Sequence, residues 1–226
     1  MNTQEIIKKL EKFSVPENKE GMARFGINTE KALGVSVANI RKVGKTVKKD
    51  HELALKLWNT GIHEARILAT MLDEPDAVNE EQMESWAKDF NSWDLCDQAC
   101  GNLFDKTRFA FKKPYEWARR DEEFVKRAAF ALIAWLAVHD KKAGNKEFER
   151  FLTLIKNAAG DERNFVKKAV NWALRQIGKR NPALNKKAVK TAEEIQKMDS
   201  KAAKWIAKDA LKELRSEAVQ KRLKSR

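Results

Sequence analysis

Apolar residues recur along this chain at helical spacing, and nowhere with the alternation of a half-buried strand. Ile6, Ile7, Leu10 and Phe13 form one stripe after Thr3, which predicts an opening helix over 3–13 with Thr3 as its cap. Ser14-Val-Pro16 ends it, glycines interrupt the next stretch twice, and Ser36 is placed to cap a helix carrying Val37, Ile40, Val43 and Val47. From about residue 50 the pattern becomes a series of helix pairs. First helices are predicted over 52–58, 80–89, 114–120, 146–157 and 185–196, and their partners start near residues 62, 92, 122, 162 and 201. The short links between them make each pair antiparallel neighbours.

The pairs are also copies of one another. Phe124-Val-Lys-Arg-Ala-Ala129 recurs as Phe165-Val-Lys-Lys-Ala-Val170, 41 residues on, and more weakly as Trp205-Ile-Ala-Lys-Asp-Ala210, 40 further. That period belongs to the HEAT and armadillo class, whose units stack in one dimension with the second helices lining a concave face. The predicted fold is all-α, an α-α superhelix of HEAT-like repeats. It is expected to form one domain over 1–226, with a helical lead-in (1–49), helix pairs (50–215) and a basic tail (216–226).

Composition supports this and adds a partner. Charged residues make up 35% and hydrophobic ones 42%, with only four prolines, as in a soluble helical protein. The absence of a secretory segment or a membrane-length apolar run predicts a cytoplasmic location and no membrane association. The net charge of +13 is uneven: residues 1–100 hold 14 Lys/Arg against 17 Asp/Glu, and residues 101–226 hold 32 against 16. Such a half suits a polyanion, while a merely soluble lysine-rich surface is the plainer alternative.

Candidate chemistry concentrates on the second helices. Trp93 and Asp97, four residues apart, share one face of the helix predicted over 92–103. Ser92 stands at the N-cap position and Asp94 in the first turn, where a carboxylate suits the helix dipole. Asp97 lies beyond that turn among Leu95, Cys96, Ala99, Cys100 and Leu103, and either caps a neighbouring element or does chemistry. The helix over 122–138 carries Arg127 and Trp135, and that over 162–178 carries Lys168, Trp172 and Arg175. Asn171 and Arg175 beside Trp172 point to a partly wet tryptophan, whereas Trp58, Trp86, Trp117 and Trp205 are expected in the core. Cys96 and Cys100 read as buried free thiols. His51, His63 and His139 form no recognisable constellation, and there is no phosphate loop, zinc signature or nucleophile elbow, so no cofactor and no metal are expected.

The order Trp93-x-x-x-Asp97, Arg127 in its Phe-Val-Lys-Arg-Ala-Ala segment, then Asn164-Phe-Val-Lys-Lys-Ala-Val-Asn-Trp172-Ala-Leu-Arg175-Gln-Ile-Gly-Lys-Arg-Asn-Pro182 resembles the AlkD-type DNA alkylation repair family of bacterial DNA glycosylases. Gly34-Val-Ser-Val and Leu57-Trp-Asn-Thr-Gly-Ile-His-Glu-Ala-Arg66 are similar to it too, so the likeness spans roughly residues 20–215. The resemblance implies excision of positively charged N3- or N7-alkylated purines from duplex DNA in base excision repair, by a monomer acting at the nucleoid. It implies Asp97 as the catalytic carboxylate, Trp93 and Trp172 as paired aromatic residues, and Arg127 and Arg175 as concave-face DNA-binding residues; Lys168, by its own place on the second helix over 162–178, is expected to bind DNA as well. The chain departs from the family around Met22-Ala-Arg-Phe25-Gly-Ile, where Phe25 stands in place of a tyrosine and the segment is short. A non-catalytic HEAT-like nucleic-acid-binding protein is the alternative.

Overall fold

The structure is a computed structural model describing residues 1–225, and every regular element among them is helical. The chain folds as two compact units, Met1–Phe109 and Ala110–Arg226.

The first unit holds α1 (Thr3–Glu11), α2 (Asn18–Arg24), α3 (Val37–Gly44), α4 (His51–Asn59), α5 (His63–Leu72), α6 (Glu80–Lys88) and α7 (Trp93–Asn102), followed by a 3-10 turn, Phe104–Lys106. Local chemistry sets the starts. Asn2, not Thr3, caps α1: its side chain accepts from the Glu5 amide at 2.9 Å, and Glu5 accepts in return from the Asn2 amide. This is a capping box, which needs the acceptor one residue earlier than the expected Thr3. Asp50 and Asn79 cap α4 and α6 through the amides of Leu53 and Gln82. Val47 falls beyond the end of α3.

The lead-in is fastened to the first pair by a buried carboxylate. Glu64 on α5 accepts from the amides of Leu33, Gly34 and Val35 at 2.8, 2.8 and 3.0 Å. Gly34 sits at φ +78°, and a Cβ there would meet the Val15 carbonyl oxygen at 2.3 Å, so only glycine allows this close crossing. Deeper in the unit, Trp58 of α4 and Trp86 of α6 stack with centroids 3.9 Å apart, and the Trp58 indole N–H donates to Asp89 at 2.8 Å.

The second unit holds α8 (Lys113–Trp117), α9 (Glu123–His139), α10 (Asn145–Ala158), α11 (Asn164–Gly178), α12 (Pro182–Gln196), α13 (Lys201–Leu214) and α14 (Glu217–Lys224). Successive helices pair as expected, α8 with α9, α10 with α11 and α12 with α13, and α11 packs on both α9 and α13. Alanine lets them approach: α9 buries Ala128, Ala129, Ala131, Ala134 and Ala137, and α13 buries Ala202, Ala203, Ala207 and Ala210.

Two expectations meet a different local structure here. Within the basic tail expected over 216–226, Ser216 caps α14 (Glu217–Lys224), which buries Val219 and Leu223. Trp205 is 41% exposed, unlike the covered Trp58, Trp86 and Trp117, because the inner face of α13 is filled by small side chains and Trp205 lies opposite it.

Candidate functional site

In the first unit the chemistry sits on α7. The buried face of this helix is Leu95, Cys96, Ala99 and Cys100, and Trp93 and Asp97 lie off that face, both half-buried, one turn apart. The Trp93 indole N–H donates to the Phe25 carbonyl at 2.9 Å, which fixes the ring against the end of α2 while Phe25 itself is 73% exposed. Burial pushes the Cys100 thiol well up, with Cys96, Asp97 and Asp105 adding to the effect, so this thiol is a packing group and not a nucleophile.

Asp94 has a role that dipole reasoning did not reach. Its Oδ2 lies 2.8 Å from Nε2 of the buried His63 on α5, locking α7 to α5. Burial raises the Asp94 carboxyl and the hydrogen bond and charge of His63 lower it; the net result is below the ordinary value. Ser92 occupies the cap position without a side-chain bond to the helix amides. His51 is likewise paired, its Nδ1 2.7 Å from Asp73, which also accepts from Gln82 Nε2 at 2.6 Å. Two of the three histidines therefore have carboxylate partners that the sequence did not reveal, being 31 and 22 residues away.

In the second unit the candidates lie on α9 and α11. Arg127 is only 5% exposed and its Nη1 donates to the Phe165 carbonyl at 2.6 Å, joining α9 to α11. Trp172 is half-buried and meets Trp135 edge-on, centroids 5.4 Å apart at 82°, while Trp135 stacks on His139 at 4.8 Å. The expected partly wet tryptophan is thus one member of an aromatic cluster. Lys168 is exposed. Arg175 pairs with Glu213 and lies 3.6 Å from Asp209, and Lys179 reaches Glu213 at 2.6 Å. Burial raises the Glu213 carboxyl, and the hydrogen bonds from Lys179 and Arg175 bring it below its usual value.

Arg180, whose role its spacing in the motif does not reveal, closes the end of α9. It donates to the carbonyls of Ala137, Asp140 and Ala143 at 2.8, 2.6 and 3.2 Å and lies 3.8 Å over the Phe148 ring. Beside it is a cavity of about 330 Å³ lined by Lys141, Lys179, Arg180 and Arg222 with no carboxylate in its wall. The charge asymmetry follows the division into units: residues 1–109 hold 16 Lys/Arg against 18 Asp/Glu, and 110–226 hold 30 against 15.

The profile of the family described as DNA alkylation repair enzyme matches residues 6–214. No curated protein matches. Among solved structures the chain is similar to one from a new family of proteins related to the HEAT-like repeat DNA glycosylases with affinity for branched DNA structures, at 22% identity and TM-score 0.81, over 99% of this chain and 96% of that one. At such identity the likeness speaks for the fold alone. An engineered protein matches at 14% identity and TM-score 0.46, over 95% of this chain and 99% of that one. A designed armadillo repeat protein matches at 18% and 0.35, over 78% and 92%. With nearly its whole length matched, this chain belongs to the DNA alkylation repair enzyme family.

Proposed function

We propose that this protein is a DNA glycosylase that removes positively charged N3- or N7-alkylated purines from duplex DNA. The observation that carries the reading is the pair on α7, an indole fixed by the Phe25 carbonyl and a half-buried carboxylate one turn away. An alkylated purine of this kind is already cationic. When the glycosidic bond breaks, the electron pair passes to the base, which leaves neutral and needs no strong general acid. The sugar then develops oxocarbenium character. Asp97 stabilises that charge across a partly dehydrated surface, where a fixed carboxylate acts more strongly than in water. Water adds to the sugar and its proton is lost, with Asp97 placed to orient or accept it. Trp93, one turn from Asp97, adds cation–π attraction of roughly 0.5–2 kcal/mol, and Trp172 is proposed as an aromatic contact to the DNA from the second unit. Lys168 and the other cations of the second unit neutralise phosphates, which gives affinity without sequence preference.

The test is single-turnover release of free base from methylated duplex DNA by the wild type and Asp97→Asn. Removing the charge is expected to cost ~2.7–4 kcal/mol of transition-state stabilisation, the scale of losing one oxyanion-hole donor. That is ~100- to 1,000-fold in rate, with duplex affinity and melting temperature close to wild type. Near-normal excision by a less stable variant would make Asp97 a structural acceptor.

A second reading, a non-catalytic DNA-binding protein, draws support from the relative with affinity for branched DNA structures and from the engagement of Arg127 and Arg175 with groups of this chain. Tight duplex binding by the wild type with no base released would favour it.

A further inference from the structure

The outer face of α13 carries an exposed aromatic side chain among lysines, and neither excision chemistry nor packing uses that ring. Its inner face is Ala202, Ala203, Ile206, Ala207, Ala210 and Leu214, all buried. The opposite side carries the exposed Lys201, Lys204, Trp205, Lys208 and Lys212, a stripe that runs ~16 Å along the helix at 1.5 Å per residue. Trp205 occupies the repeat position of Phe124 and Phe165, whose rings meet at 5.5 Å, yet it turns 41% of its surface to water. A large aromatic side chain left open on a lysine stripe has no packing explanation. Lys167 of α11 lies over its ring at 5.3 Å, which steadies the indole, and Lys168 adds a further exposed cation on the same neighbouring helix.

Few carboxylates compete for these cations. Glu162 is occupied by the start of α13, accepting from the Ser200 hydroxyl at 2.9 Å and the Ala202 amide at 3.0 Å. Asp199 pairs with Lys204 at 3.3 Å. Lys168, Lys201, Lys208 and Lys212 have no carboxylate partner among the described residues.

We infer that this stripe binds single-stranded DNA, with an unpaired base stacked on Trp205 and flanking phosphates on Lys168, Lys201, Lys208 and Lys212. Charge selects a polyanion, and the indole selects among polyanions. In a duplex the faces of the bases are already stacked on one another, so only the lysines would contribute; an unpaired base offers its π-face to the open indole. Such stacking is tolerant of sequence because every base has that face. The site goes beyond the excision reading and does not depend on it: a protein that releases no base could still carry it, and a glycosylase could lack it.

The experiment measures affinity of the full-length protein for a labelled single strand, a blunt duplex and the same duplex with a single-stranded extension, by fluorescence anisotropy. Trp205→Ala is expected to weaken binding of the single strand and the extended duplex by ~5- to 150-fold, the range for one stacked base, and to leave the blunt duplex unchanged. Trp205→Phe should restore most of the loss, and Lys208→Ala should lower the salt slope on the single strand by about 0.7. Trp205 is exposed, and a matching thermal melt establishes that each variant is folded. Equal losses on blunt and extended duplexes, or no loss with Trp205→Ala, would overturn the inference. So would Trp205-dependent binding of an acidic peptide in place of the single strand.

Discussion

A guanidinium that is nearly covered and already donates to a carbonyl behaves differently from an ammonium in water, even when both carry the same charge on adjacent helices. Arg127→Ala removes a nearly covered guanidinium and its hydrogen bond to the Phe165 carbonyl, so it is expected to lower stability by ~1–3 kcal/mol. Lys168→Ala should leave the melting temperature unchanged and lower the salt slope of duplex binding by about 1. Thermal unfolding and a salt titration of each variant check both halves; a stable Arg127→Ala protein with an equally reduced slope would make Arg127 a phosphate ligand after all. His63→Ala is expected to act like Arg127→Ala, since it strips the partner from the largely covered Asp94 carboxylate, and a melting temperature equal to wild type would contradict that. What was legible at this scale was local. Trp93 and Asp97 share a face because residues four apart on a helix do, whereas the His63–Asp94 pair joins residues 31 apart and left no trace in spacing. The exposure of Trp205 was hidden by its register, which copies that of Phe124 and Phe165, two rings packed on each other.

Helices were the most readable level, because apolar periodicity and a 41-residue repeat agree from α9 to α13, with side-chain caps adding to them at α12 and α13. The predicted second-helix starts fall within two residues of those observed. The reading failed where the signal was thin. α14 has only Val219 and Leu223 to bury, so it looked like a basic tail; its start depends on Ser216 and on Gln220, which donates to the Leu214 carbonyl at 2.6 Å. Gly178 is the last residue of α11. In the structure a Cβ there would meet Leu214 Cδ2 at 2.6 Å and Ala188 Cβ at 3.0 Å, so this glycine is what lets α11, α12 and α13 close together. Gly→Ala in a helix normally gains up to ~1 kcal/mol. Gly178→Ala is expected to lose ~1–3 kcal/mol instead, through overpacking against neighbours that are themselves buried. Urea unfolding midpoints measure the difference, and a stabilised variant would show that Leu214 moves aside freely.

For the molecule as a whole, charge was legible in number but not in arrangement. The excess of cations in residues 110–226 could be counted from the sequence; that several of them hold carboxylates in place could not. Those carboxylates make stability depend on pH. Asp161 is held well below its ordinary value first by the Arg163 hydrogen bond and then by Lys126, whose Nζ lies 2.9 Å away. Asp94 and Glu213 are lowered too, against the opposing effect of burial. A carboxylate with a depressed folded-state value binds fewer protons folded than unfolded as acid is added. Its contribution is therefore complete above the unfolded values of 3.8 for Asp and 4.5 for Glu, and is lost as pH falls through the lower folded ones. The expected stability curve is flat in these groups from neutral pH down to about 5 and falls steeply below about 4. Asp161→Asn removes one contributor: the variant should be less stable than wild type at pH 7 and lose less on acidification, so that the gap between the two narrows below about pH 4 and is still open at pH ~2.5. Urea midpoints taken from pH ~2.5 to ~7 test this, and parallel curves for the two proteins would mean that the Asp161 cluster contributes nothing to acid sensitivity.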